Sequence, residues 1–242
     1  MKKNIAELIG TFTLVFVGTA TAVFSGSGIL GHGVGMGILA IAFAFGFTLM
    51  VLVYTVGPIS GCHINPAVTI AMLMAKKIKI NNALGYIVAQ VIGGILASAV
   101  LLVILTGVTG SGKVDSLGNT VGVAQYSVTV HGLGANDVPA FLDIRTTFIL
   151  EVVLTALFLF VIFNATSSKA QPQAAGLAIG GYLFVAHLIG VPLGDSSLNP
   201  ARSLGPAILQ GGSALGNVWV FIVAPIIGAL LGYALFRATA EE

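Results

Sequence analysis

Six stretches of this sequence are each about 20 residues long and almost wholly apolar, the length a helix needs to cross about 30 Å of hydrocarbon. They run over Ile5–Phe24, Gly35–Val56, Leu84–Leu105, Thr146–Asn164, Ala175–Val191 and Val218–Phe236. The rest of the chain cannot supply a water-facing surface. Charged residues make up 7% of the 242, against about 25% in an ordinary soluble domain, and the mean hydropathy is +1.04. These figures exclude a soluble enzyme, a disordered protein and a nucleic-acid-binding protein, and leave an integral membrane protein. The net charge of +2 is too small to argue for an anionic partner. A single cysteine, Cys62, excludes an intramolecular disulfide and a cysteine-ligated metal cluster. The 32 glycines suit closely packed membrane helices. Glu7, early in the first apolar run, argues against a cleaved signal peptide.

Charge placement sets the expected topology. If all six runs cross, Lys2, Lys3, Lys76, Lys77, Lys79, Lys169 and Arg237 fall on one side, and Lys113, Arg145 and Arg202 on the other. Cytoplasmic loops carry the excess of Lys and Arg. The expectation is a multi-pass protein of the cell membrane with both termini cytoplasmic.

Two further apolar segments are too short to span: Pro66–Ala75 after Asn65, and Pro200–Leu209 after Asn199. Ten helical residues rise about 15 Å, half a bilayer. Their spacing predicts re-entrant half-helices entering from opposite sides. Non-helical backbone at that depth is tolerated only where protein buries it or it lines a watery cavity, so the pair predicts a pore.

The two halves of the chain also match each other. Glu7-x-x-x-Thr11 returns as Glu151-x-x-x-Thr155, and Asn65-Pro66-Ala67 as Asn199-Pro200-Ala201. The stretch from Ile87 to Leu96 returns from Ile222 to Leu231. With three spans per half, the copies must sit upside down relative to each other. The fold expected is an all-α membrane protein: six transmembrane helices plus two half-helices in an inverted three-helix repeat. It forms one channel domain over residues 1–242, with halves of about 1–106 and 144–242 and a polar, Gly-rich outside connector over 107–143. The functional site of such repeats lies near the midplane between them.

Asn-Pro-Ala ahead of an apolar run is, taken alone, a helix start. Asn suits the cap and Pro the first helical position, where its missing N–H costs nothing. Two copies at corresponding positions of a repeat, each opening a half-span, say more. Both N-termini would then meet near the bilayer centre, each presenting a positive dipole end and an Asn amide.

Over nearly its whole length the sequence resembles the aquaporin (major intrinsic protein) family. The resemblance rests on Ser60-Gly61-Cys62-His63-Ile64-Asn65-Pro66-Ala67-Val68-Thr69, on Ser197-Leu198-Asn199-Pro200-Ala201-Arg202-Ser203, and on the paired Glu7 and Glu151. The run from Gly61 to Asn65 is most similar to the archaeal branch. The resemblance implies that Asn65 and Asn199, with Pro66, Ala67, Pro200 and Ala201, form the pore motifs that donate to passing water. It implies extended strands leading into the half-helices, with the carbonyls of Gly61, Cys62, His63 and Ile64, and of Asp195, Ser196, Ser197 and Leu198, facing the pore. The family's selectivity filter falls on Phe45, His187, Ser196 and Arg202, with Phe45 closing the wall opposite the His–Arg pair. Glu7 and Glu151 would be structural buried acids bracing those loops, and His63 a further brace.

Each of these residues has a blander reading. A lone His in an apolar run is more often a satisfied core residue, and Phe45 is one of 14 phenylalanines. Arg202 could snorkel from a loop end, but it lies two residues into a short apolar helix, where a charge costs about 2.5–3.5 kcal/mol on insertion scales unless the site is wet. The glycerol-conducting branch typically carries Gly at the His187 position and Asp at the Ser203 position, so the resemblance favours water. Ser196 is smaller than the Thr of some bacterial relatives, and Asp195 adds an unusual charge beside it. His32 and His131, in outside loops, receive no role. The leading expectation is a passive water channel that excludes protons and ions. Its rivals are a facilitator of glycerol, other small neutral solutes or dissolved gas, and a carrier using Glu7 or Glu151 as a proton site. An intramembrane hydrolase is remote, since no Ser–His–acid arrangement can be read from spacing. No catalytic residue, cofactor or metal is expected. The expected partners are water as permeant, the lipid bilayer and, by resemblance, three further copies in a homotetramer.

Overall fold

Residues with no polar side chain cannot satisfy their backbone in a bilayer except by coiling on themselves, and the long apolar runs all become helices. The computed structural model describes residues 1–26, 34–108, 113–114, 120–121, 126–194 and 196–240. In chain order its helices are α1 (Lys2–Thr21), α2 (Val34–Thr55), α3 (Gly57–Ser60), α4 (Pro66–Met74), α5 (Ile80–Thr106), α6 (Val128–His131), α7 (Ile144–Ala165), α8 (Ala175–Gly190), α9 (Pro200–Gln210), α10 (Gly212–Asn217) and α11 (Val220–Thr239). Six helical stretches are long and apolar enough to cross a membrane: Lys2–Ser25, Gly37–Thr55, Ile80–Thr106, Ile144–Ala165, Pro172–Leu193 and Gly212–Thr239. The connector between α5 and α7 carries a small antiparallel pair, β1 (Lys113–Val114) on β2 (Thr120–Val121).

The element boundaries differ from expectation for local reasons. α1 runs into a π-turn over Ala22–Gly26. α7 begins at Ile144 because Asp143 caps it, its carboxylate accepting from the Thr146 backbone N–H at 2.6 Å. That bond, with Arg145 nearby, holds the Asp143 carboxyl below the usual carboxylate range. After α9 the chain passes through Gly211 and Gly212, both at positive φ (72° and 59°). Glycine adopts that conformation without a Cβ penalty, and it redirects the chain into the short α10, which periodicity did not reveal.

The burial pattern is inverted relative to a soluble protein. Phe43, Val88, Ile149, Leu177 and Leu231 are exposed on the outer helix faces. Glu7, Gln90, His187 and Arg202 are buried inside. An apolar exterior around a polar interior is the arrangement a lipid solvent selects.

Packing repeats between the halves. α1 lies along α5, and α7 lies along α11. A Cβ on Gly93 of α5 would stand 2.5 Å from the Leu8 carbonyl of α1, and one on Gly228 of α11 would stand 2.5 Å from the Val152 carbonyl of α7. These two glycines occupy matching places in the repeated Ile87–Leu96 and Ile222–Leu231 stretches. The absence of a side chain lets each helix pair approach to backbone contact, the means by which membrane helices associate. The half-helix α9 docks on α5 in the same way, with Gly94 and Gly205 against the carbonyls of Ala201 and Gly94 respectively. α2 packs along α8 and completes the ring of spans around α4 and α9.

Candidate functional site

The segments entering the two half-helices are not strands. Cys62, Ile64 and Leu198 all take positive φ (51°, 41° and 53°), and Gly61 stands at 93°. The expectation of extended strands is corrected on this point. Left-handed residues alternating with others turn the chain too sharply for a ladder, and few non-glycine residues tolerate φ above zero. Such backbone persists only where its surroundings hold it, and the buried acids do so. Glu7, fully buried, accepts from the backbone N–H groups of His63 (2.9 Å) and Ile64 (2.5 Å), from the Ser60 hydroxyl (2.6 Å) and from the Gln90 amide (2.7 Å). Glu151 accepts from the backbone N–H groups of Ser197 (2.6 Å) and Leu198 (2.9 Å). An acid from the first helix of each half therefore ties down the loop before that half's short helix.

Asn65 and Asn199 combine the bland and the functional reading of their motif. The Asn65 Oδ1 accepts from Ala67 N at 2.8 Å, and the Asn199 Oδ1 from Ala201 N at 3.0 Å and Arg202 N at 3.3 Å. Both are therefore helix caps, each followed by Pro66 or Pro200 at the first helical position. Capping with the oxygen fixes where the amide nitrogen points. The Asn65 Nδ2 donates across to the Leu198 carbonyl at 2.7 Å, and the Asn199 Nδ2 to the Ile64 carbonyl at 2.9 Å. The two half-helices thus meet N-terminus to N-terminus, locked by reciprocal bonds. An Asn amide carries two N–H donors, so each retains one beyond the cross-bond.

A second polar cluster gathers around Arg202, which is 3% exposed. Its Nη1 donates to the Gly134 carbonyl at 2.9 Å and to the Asn136 side-chain oxygen at 2.5 Å. Phe45 and His187 stack at 4.4 Å between centroids, and the Arg202 guanidinium carbon lies 5.0 Å from the Phe45 centroid. Phe45 is thus in contact with both polar partners, not across a gap from them as the sequence suggested. Gly18 of α1 makes this possible, since any Cβ there would collide with the Phe45 ring. His187 uses its Nδ1 on the Leu183 carbonyl at 2.9 Å, while its Nε2 and the Ser196 hydroxyl are buried with no partner among the described residues. Buried polar atoms need partners, and the His187 ring lines the cavity, where water is a suitable one.

A cavity of about 80 Å³ joins these elements. Its wall runs from Phe45, His187 and Arg202, past Asn65 and Asn199, to Met72 and Thr166, which lie towards the C-terminal ends of α4 and α7. Gly61, Cys62, His63 and Ile64 line it from one half, and Ser197 and Leu198 from the other. The remaining wall is mainly apolar, with Leu14, Leu49, Phe158 and Ile179. A cavity needs roughly 10–15 Å³ to admit one water, so this one has room for several. A second cavity opens beside Gly134, Ala135 and His131. Ser196 is absent from the inner wall; it lies buried against Gly190 of α8. Asp195 falls outside the described residues, as does His32. Among the described residues no group of three His, Cys, Asp or Glu side chains comes together to hold a metal ion.

Two residues of this site were not singled out in the sequence. Gln90 bridges Glu7 to Thr69, with Nε2–Oγ1 at 3.0 Å. Its counterpart in the repeat is Pro225, so a polar residue inside a matched apolar stretch was the available signal. Asn136 lies in the connector that the sequence treated as a mere join, yet it is fully buried. A buried Asn in a loop has no periodicity to betray it.

Relatives agree with this architecture. The sequence model of the major intrinsic proteins matches residues 1–236. The chain is 38% identical over 246 residues to "Aquaporin Z" of Rhodopseudomonas palustris, covering 99% of this chain and 94% of the relative. It is 42% identical over 243 residues to "Glycerol uptake facilitator protein-like 6" of Lactiplantibacillus plantarum, covering all of both. Its fold is similar to the X-ray structure of the aquaglyceroporin from Plasmodium falciparum, with a TM-score of 0.78 at 20% identity over 98% of this chain and 96% of the other. A multi-pass helical protein whose two half-helices meet end to end, with this extent of identity to such relatives, belongs to the major intrinsic protein family.

Proposed function

We propose that the protein is a passive water channel, in which water moves single file past Arg202 and His187 and then past the asparagine pair. The observation that carries this reading is the buried Arg202–His187–Phe45 cluster at one end of a cavity that continues to the cross-bonded Asn65 and Asn199. Donors follow one another along the wall: the guanidinium, then the remaining N–H of each asparagine, while the His187 Nε2, whose ring already donates through Nδ1 to the Leu183 carbonyl, offers an acceptor. Carbonyls of Gly61, Cys62, His63 and Ser197 supply acceptors along the loops. The apolar remainder gives water nothing to dwell on. Protons and cations meet the positive N-terminal ends of α4 and α9 and the charge of Arg202. The "Aquaporin Z" relative supports the same substrate.

A second reading has its own observation. The relative at 42% identity is named for glycerol uptake. Against glycerol stands the packing of Phe45 on both His187 and Arg202, three bulky side chains gathered at that end. The carrier reading is weakened by the use of Glu7, whose two oxygens are taken up by four donors in a structural brace. The protein is read as a transporter without chemistry of its own. It forms one channel domain with halves of about 1–106 and 144–242, inverted about the midplane, with both termini cytoplasmic in the cell membrane. We read the assembly as a homotetramer with one pore per subunit.

Stopped-flow swelling of proteoliposomes tests the function. A channel gives fast, non-saturating water flux and much slower glycerol entry. Glycerol flux equal to that of water would replace the first reading by the second, and flux coupled to a proton gradient would replace both.

A further inference from the structure

The connector between the halves reaches into the site through one side chain. Leu133 to Asp137 lie along α9 and α10 and are bonded to them at successive points. The Leu133 N–H donates to the Gln210 side chain at 2.7 Å, at the far end of α9. The Gly134 carbonyl accepts from Arg202 at 2.9 Å. The Asp137 carboxylate accepts from Ser213 at 2.5 Å and from Asn217 at 2.8 Å, both in α10. Between these anchors stands Asn136, whose single side-chain oxygen takes two donors from the start of α9: the Arg202 Nη1 and the Ser203 hydroxyl, the latter at 2.6 Å. With its proton on Asn136, Ser203 can only accept at its 2.5 Å contact with the Ser197 hydroxyl, whose single proton serves either Ser203 or the Asn199 carbonyl at 3.0 Å.

Arg202 therefore has its guanidinium fixed from the connector side by one backbone carbonyl and one side chain. A long, flexible arginine in a wet passage has many rotamers, and losing them is costly. A charge-assisted bond to a buried, doubly occupied acceptor selects one of them. Ser203 contributes because it holds the Asn136 oxygen in line with the α9 N-terminus.

We propose that Asn136 is a positioning residue for selectivity: its side-chain oxygen, held by Ser203, sets the place of the Arg202 guanidinium and so the width and charge of the narrow end. This rests on the channel reading above. Asn136 bonds to Arg202 and does not line the cavity, so its effect passes through the arginine.

The test is a mutant cycle in proteoliposomes, with water and glycerol permeability measured on the same vesicles. Asn136→Ala is expected to raise the glycerol-to-water ratio about tenfold, equivalent to ~1.4 kcal/mol. In an Arg202→Val background the same change should add nothing, because there is no arginine left to position. Asn136→Asp keeps the acceptor in place and should retain the wild-type ratio. It should also weaken cation exclusion, since its charge offsets that of Arg202. The proposal is overturned by an N136A protein that conducts water with an unchanged ratio, by an N136A effect that persists in the R202V background, or by an N136D ratio as high as that of N136A. If N136A does not fold, the N136D ratio and cation leak, with Ser203→Ala as a milder release of the same oxygen, decide the matter by the same signs. Absence of fast water flux in the wild type would instead defeat the channel reading itself.

Discussion

Replacing Glu7 by glutamine keeps the size of the side chain and changes only what it can accept. In the native site the Glu7 Oε1 faces Ser60 and the His63 N–H, and Oε2 faces the Ile64 N–H and the Gln90 amide. A glutamine must place its NH2 at one of the two positions. At the Oε2 position it would orphan the fixed Ile64 N–H and force the Gln90 amide to flip, giving up its bond to Thr69. At the Oε1 position the Ser60 hydroxyl can rotate to accept, and only the His63 N–H is orphaned. The second orientation is the cheaper. It costs about 1–3 kcal/mol for one buried unsatisfied N–H. The bonds to Ile64 and Gln90 fall from charge-assisted to neutral, about 1 kcal/mol each. The sum is about 3–5 kcal/mol, a large share of the ~5–15 kcal/mol that holds a typical domain together. The loss falls on the strained loop from Gly61 to Ile64, which carries carbonyls of the cavity wall. The expected result is a clearly lowered midpoint in thermal unfolding of the purified protein in detergent, with reduced water flux per folded channel. A Glu7→Gln protein with wild-type thermal stability and wild-type water flux would refute the reasoning. If that stable protein had lost a proton-coupled flux, Glu7 would be a transport site and not a brace.

His187→Gly removes the ring stacked on Phe45 and should raise glycerol permeability in swelling assays; unchanged glycerol exclusion would take His187 out of the filter. Arg202→Val removes the buried charge and should admit a proton leak, followed with a pH-sensitive dye in the vesicle lumen, while water flux is kept; an unchanged leak would place the barrier in the half-helix ends alone. Gly93→Val sets a branched side chain against the Leu8 backbone and should destabilise by about 1–3 kcal/mol as an overpacked contact. By contrast Gly181→Ala, where an added Cβ meets nothing within 4 Å, should leave the unfolding midpoint where it is; equal effects would show that the glycine contacts do not limit packing.

Much of this protein is set by its sequence alone, because lipid leaves few options. An apolar run of spanning length has to be a helix, and a shorter one beginning Asn-Pro-Ala has to start at the Asn, since the cap is a local interaction between one side chain and the next two or three backbone N–H groups. The repeat pairing Glu7 with Glu151 and Asn65 with Asn199 is visible as plain text, and by resemblance Phe45, His187 and Arg202 could be named as one group. What those residues do to one another was decided only in three dimensions. Asn65 gives its amide to a carbonyl in the other half of the chain, and no spacing rule spans that separation. Phe45 meets His187 and Arg202 because Gly18 of another helix yields the room. Ser196, assigned to the filter by alignment, is buried beside Gly190 of α8, a contact between separate segments that no spacing in the sequence announces. Asn136 could not be found in the sequence at all. A buried polar residue in a loop is recognised only by its partners, and those of Asn136, Arg202 and Ser203, lie more than 60 residues further on in α9. Local chemistry, acting over one turn of helix, is written in the sequence; the closing of a polar site from distant segments depends on which backbones can approach, and that is a property of the packed fold.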